Sequence, residues 1–219
     1  MGSRKLLVEG ESDQEFFKSY CTLLNIINVD VFPPKSIDPN TGNGCSNLIN
    51  NLPILLKEIK AGAIDNLGIV LDADYPPNNN GGFTARYQLV ANELLNFGYT
   101  VPKSPLRNNG EIFVHPDGLP SIGLWVMPDH NQNGMLEDFI AKLITDPTQV
   151  SLLAHANKSI SKLPATLFNS TLHLTKAKVF TWRAWQQRPG LPLNTALQSG
   201  LLDRSKAAGF ESWLKKVFT

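Results

Sequence analysis

Apolar residues in the first 150 positions follow two rhythms that alternate, short unbroken runs and stretches that repeat every three to four residues. Lys5–Glu9 reads as a buried strand around Leu6-Leu7-Val8, and Asp13–Leu24 as a helix with Phe16, Phe17, Tyr20 and Leu24 at helical spacing. Asn28–Phe32 reads as a second strand. A loop rich in Pro, Asn and Gly (PPKSIDPNTGNGCS) then leads to a helix carried by Leu48, Leu52, Leu55, Leu56 and Ile59. Pro53 either sits in the first turn of that helix or kinks it. Leu67–Leu71 reads as a third strand, the loop YPPNNNGGF follows, and a helix spans Thr84–Asn96 and stops at Gly98. Strands alternating with helices predict an α/β fold with a parallel sheet between helical layers.

From Glu111 the period changes. Glu111–His115 and Ser121–Met127 read as two strands joined by a Pro-Asp-Gly turn. The loop DHNQNG leads to a helix at Met135–Ile144. Weaker signals place helices near 147–157 and 163–170, at Ala177–Gln187 and at Ser205–Phe218. The expectation is one domain over residues 1–219, with a core at about 4–145 and a helical, basic C-terminal extension at about 146–219.

Composition fits a globular protein, with 42% hydrophobic and 18% charged residues. No apolar run reaches membrane-spanning length and no basic-then-apolar leader precedes Leu6, so a cytoplasmic location with no membrane partner is expected. Cys21 and Cys45 form neither a disulfide framework nor a zinc pattern. Charge is divided unevenly. Residues 1–150 carry 10 Lys and Arg against 17 Asp and Glu (net −7), and residues 151–219 carry 10 against 2 (net +8). Either the halves pair with each other, or an acidic metal site lies beside a basic surface for a polyanion.

The acids supply the candidate chemistry. Glu9 ends the first strand, where open α/β sheets place ligands. Ser12-Asp13-Gln14-Glu15 has capping-box form, with Ser12 as N-cap and Asp13 in the first turn near Glu9. Asp72 and Asp74 follow the most apolar strand, and i, i+2 residues on extended backbone converge unless the chain turns between them. Like charges so placed raise each other's pKa and favour a bound cation. Asp129, Asn131, Asn133 and Gly134 copy half of an EF-hand loop, but Ile140 stands where a bidentate Glu is required. Glu137 and Asp138 start the next helix about 100° apart, and Glu137 is the one expected to face inward. His115, His130, His155 and His173 form no catalytic pattern. Trp182, Trp185 and Trp213 either stack on bases or fill the core.

The order Glu9–Asp13, Asp72-x-Asp74 and Gly134-x-Leu136-Glu137-Asp138 resembles the Toprim domain, and within it the OLD-family nucleases. KAKVFTWRAWQQRPG at Lys176–Gly190 resembles a motif of small stand-alone bacterial Toprim-like proteins. The resemblance implies a compact Rossmann-like sheet and Mg²⁺- or Mn²⁺-dependent phosphodiester chemistry on DNA or RNA. It implies Glu9, Asp13, Asp72 and Asp74 at one metal, with Glu137, and Asp129 or Asp138, at a second. By the same resemblance Lys176 or Lys178 would act on the phosphate as the catalytic lysine, with Arg183 approaching the backbone. Arg86, which follows the Asn/Gly-rich loop after Asp74, is a further candidate phosphate contact. OLD proteins usually carry an ATPase module, and this chain has no GxxxxGK[ST]. A nuclease here would act alone or with a protein partner. The alternative is a Toprim-like subunit that binds nucleic acid or a partner without turnover.

Overall fold

The computed structural model describes residues 2–76 and 81–219. Its strands are β1 (Ser3–Leu7), β2 (Val29–Phe32), β3 (Ile64–Asp72), β4 (Glu111–Phe113) and β5 (Ile122–Met127). They form one sheet in the order β2-β1-β3-β5-β4, parallel throughout except for β4, which pairs antiparallel with β5. The helices are α1 (Glu11–Leu23), α2 (Cys45–Lys60), α3 (Phe83–Asn96), α4 (Leu136–Leu143), α5 (Pro147–Ser161), α6 (Ser170–Ala184), α7 (Leu193–Gln198) and α8 (Ala208–Phe218). The protein is therefore the α/β, mostly parallel fold that its strand and helix rhythms predict, followed by C-terminal helices. Among the described residues no helix is long and apolar enough to cross a membrane.

Alternation within the strands builds two cores. Leu7, Ile69 and Leu71 face α2 and α3, whereas Leu6, Val8 and Val70 face α1, α4 and the C-terminal helices. The last helix lies almost on the sheet backbone. A Cβ at Gly123 would run into Val217, and one at Gly68 would stand 2.8 Å from Leu6 and 3.3 Å from Phe218. Asn66 donates to the Val217 carbonyl at 2.9 Å and the Trp213 indole to the Glu111 carbonyl at 3.2 Å, which fixes α8 over β3 and β5.

Several local expectations change. The N-cap of α1 is Gly10 rather than Ser12, so Ser12 lies inside the first turn and caps nothing. α2 runs unbroken through Pro53, which stands mid-helix instead of in the first turn. Residues 163–169, nearly all of the stretch expected to be helical at 163–170, form no helix. Leu163 and Leu167 there are exposed with no apolar surface to pack on, and helix resumes only where Asn169 caps Ser170. α7 is an addition, held by buried Leu193, Ala196 and Leu197. Trp182 and Trp213 are fully buried, which removes them as base-stacking candidates, while Trp185 is partly exposed against His155. The Asn-rich loop between Asp74 and α3 falls outside the described residues at 77–80.

Candidate functional site

From β1 the chain passes through α1 to β2, then returns through α2 to β3 on the other side of β1. The ends of β1 and β3 therefore flank a topological switch point, the crevice where open α/β sheets hold ligands. Glu9 lies two residues past β1 and Asp72 is the last residue of β3. The parallel register pairs Leu7 with Ile69, which sets Glu9 level with Leu71. From there Glu9 Oε1 accepts the Asp72 amide at 2.9 Å. Asp72 Oδ1 in turn accepts the Leu136 amide at 2.8 Å, at the amino end of α4. Asp13 in the first turn of α1 and buried Glu137 in the first turn of α4 complete the floor of a cleft of about 410 Å³. Lys176, Phe180 and Arg183 of α6 form its wall.

Electrostatics in this floor are strained. Glu9 is pushed up to about 8, chiefly by burial, with Asp74 and Asp13 adding to the effect and the Asp72 amide opposing it. Asp13 rises to about 6 through burial and Glu137, against the Gly10 amide and Lys176. Asp72 is raised well above the usual carboxylate range by burial and then by Glu9, Asp13 and Glu137. The nearest cation to Glu137 is Lys176, whose Nζ stands 3.6 Å from Oε1.

Among the described residues, no three Asp, Glu, His or Cys side chains close on a single point as a finished metal cage. The donor set nevertheless suits a hard ion. Glu9 and Asp72 each give one oxygen to an amide and keep the other, and Mg²⁺ takes one or two carboxylates plus waters.

Asp74 does not converge on Asp72. Its φ of 59° lies in the left-handed region, where the chain turns to form a bridge with Gly134, and its Oδ2 takes Arg86 Nη2 at 2.6 Å. Arg86 is buried and also donates to the Cys45 sulfur at 3.1 Å, so its guanidinium serves Asp74 rather than the open cleft. Burial, with Glu9 next, pushes the Cys45 thiol up to about 12.

The remaining candidates divide by position. Asp138 accepts the Met135 amide and the Tyr75 hydroxyl, and with Lys178 it lines a second cleft of about 530 Å³ on the far side of α4. Asp129 pairs with Lys142 at 2.5 Å. Lys176 thus faces the carboxylate floor and Lys178 does not. Arg183 lies at the cleft wall, with Nε donating to the Leu191 carbonyl. His130 is buried, its Nδ1 accepts the Val126 amide, and burial lowers its pKa to about 4. Sequence reasoning passed over Phe180, although Lys176, Phe180 and Arg183 recur at i, i+4 and i+7 on one helix face.

Fold and cleft together define an α/β protein with acids gathered at the switch point of a parallel sheet. The chain belongs to the family described as "Protein of unknown function (DUF3226)", whose match covers residues 3–219. No curated protein and no solved structure matches it.

Proposed function

We propose that the protein is a Mg²⁺- or Mn²⁺-dependent phosphodiester-cleaving enzyme that resembles the Toprim domain and the OLD-family nucleases. One observation carries the reading. Glu9, Asp13 and Asp72 crowd a switch-point crevice with their pKa values raised, an arrangement that a bound cation would relieve. Glu9, Asp72 and Asp13 would hold the ion, with Glu137 beside them. The ion would supply Lewis acidity at a phosphoryl oxygen. Lys176 would neutralise a non-bridging phosphate oxygen, and Glu137 would hold the ammonium in place. Arg86 keeps Asp74 turned aside and so leaves room at Asp72.

Calorimetric titration with Mg²⁺ and Mn²⁺ tests this, using wild type and Asp72→Asn. Binding by wild type that disappears in the variant, with metal-dependent cleavage of an oligonucleotide, supports the reading. A wild type that binds neither ion, with or without an oligonucleotide, overturns it. The alternative of a binding subunit without turnover draws on the open arrangement of the acids and on the tie between Asp74 and Arg86. It predicts nucleic-acid or metal binding with no cleavage.

A further inference from the structure

We infer that the cleft accepts an unpaired nucleotide, with its base stacked on Phe180 and its phosphate at Lys176. The substrate is then a single strand or frayed end rather than continuous duplex. This rests on the phosphodiester reading above and adds the substrate class. Phe180 is 49% exposed, and no other phenylalanine among the described residues is so open to solvent. Its neighbours on α6, Val179 and Trp182, are fully buried, and the Trp182 indole donates to Gln149 at 2.8 Å. The helix is therefore firmly docked and holds this ring outward.

The ring is braced as well as exposed. The Arg183 guanidinium lies 4.8 Å from its centroid, and Arg183 is itself tied to the carbonyls of Leu191 at 2.5 Å and Gly190 at 3.2 Å. A fixed aromatic surface beside a lysine, above a carboxylate floor, matches what an unpaired strand presents. Every base has a face that stacks, and every linkage carries a phosphate. Within a duplex those faces are covered by neighbouring bases, so the ring can be reached only by a nucleotide that is unpaired or extruded. Neither contact involves the 2′-hydroxyl, so DNA and RNA are equally suited.

Fluorescence anisotropy with labelled oligo-dT, oligo-U and a blunt, GC-rich DNA duplex tests this, with Ca²⁺ replacing Mg²⁺ to suppress turnover. Wild type is compared with Phe180→Ala and Phe180→Trp, and Mg²⁺ binding is measured by calorimetry on all three. The expected result is tighter binding of both single strands than of the duplex. Phe180→Ala should weaken the single strands roughly 5- to 100-fold, with Phe180→Trp close to wild type and Mg²⁺ binding unchanged. Equal affinity for the duplex, or an alanine variant within about twofold of wild type, overturns the inference. Intact Mg²⁺ binding with no oligonucleotide bound also sinks it and leaves the metal reading standing. Phe180-dependent binding of single strands without any Mg²⁺ binding keeps the stacking site and removes the catalytic reading.

Discussion

Asp72 and Asp74 are separated by one alanine, yet they lie in opposite surroundings. Asp74 has the Arg86 guanidinium at 2.6 Å, buried and further tied to Cys45. The charged groups that weigh most on Asp72 are Glu9, Asp13, Glu137 and Asp74, all of them acids. One carboxylate is neutralised within the fold, and the other is held beside its own kind at the end of a buried strand. A matched ion pair is what a folded chain needs for itself. A group of acids faced by Lys176 at only one of its members is one that a bound cation would complete.

The largest test of this contrast is Arg86→Met, which leaves Asp74 without its cation. It should cost about 3–5 kcal/mol in chemical denaturation. A cost under about 1 kcal/mol would place Asp74 in the same condition as Asp72 and erase the contrast.

Asp72→Asn keeps an oxygen for the Leu136 amide while removing a charge. Its metal-free stability should stay within about 1 kcal/mol of wild type. It should also lose the Mg²⁺-induced rise, which on the proposed reading would reach about 2.7 kcal/mol for wild type at a hundredfold excess over the dissociation constant. Thermal melts with and without Mg²⁺ read both quantities. An undiminished rise in the variant would take Asp72 out of the metal site.

Titration sharpens the same point. Glu9 at about 8 and Asp13 at about 6 bind protons more tightly in the fold than in the unfolded chain, where they titrate near 4.5 and 3.8. The stability they contribute is full below those unfolded values. It falls as pH rises through about 6 and then about 8 in metal-free buffer. On the proposed reading Mg²⁺ would take the place of the protons, so its effect on the melting temperature should be greater at pH 8 than at pH 5. A pH-independent Mg²⁺ effect would mean that these acids do not bind the ion.

The smallest change is expected at Lys142→Ala. The Lys142–Asp129 pair is open to solvent, and its loss should alter stability by less than about 1 kcal/mol and leave Mg²⁺ binding intact. Lost Mg²⁺ binding in this variant would extend the functional acids to Asp129.

Much of this contrast could be read along the chain, and the unread part has identifiable causes. Glu9, Asp13, Asp72 and Glu137 were legible because each follows a strand or opens a helix, and those positions depend on local periodicity. The turn at Asp74 was not, since it depends on a bridge to Gly134, sixty positions away in sequence. Likewise Ser12 looked like a cap, but the close pairing of Glu9 with the Asp72 amide and the extended Gly10 start the helix two residues sooner. In the tail, Leu163 and Leu167 imitate helical spacing without an opposing surface, while short α7 is stabilised by burial rather than by a long repeat. Trp182 and Phe180 sit two residues apart, and only the docking of α6 decides which is core and which is cleft wall.

The glycines beneath α8 impose an order on events. The five strands among the described residues all precede residue 128, whereas the helix that covers Gly68 and Gly123 spans Ala208–Phe218. During synthesis at roughly 5–20 residues per second, about 90 further residues must be added before that face can be covered. For roughly 5–20 s the nascent sheet shows an apolar trough with no side chains at its deepest points. Because that trough is shaped to fit one helix, it is during this interval, and not once folding is complete, that the chain is most exposed to capture by a chaperone or by another nascent copy.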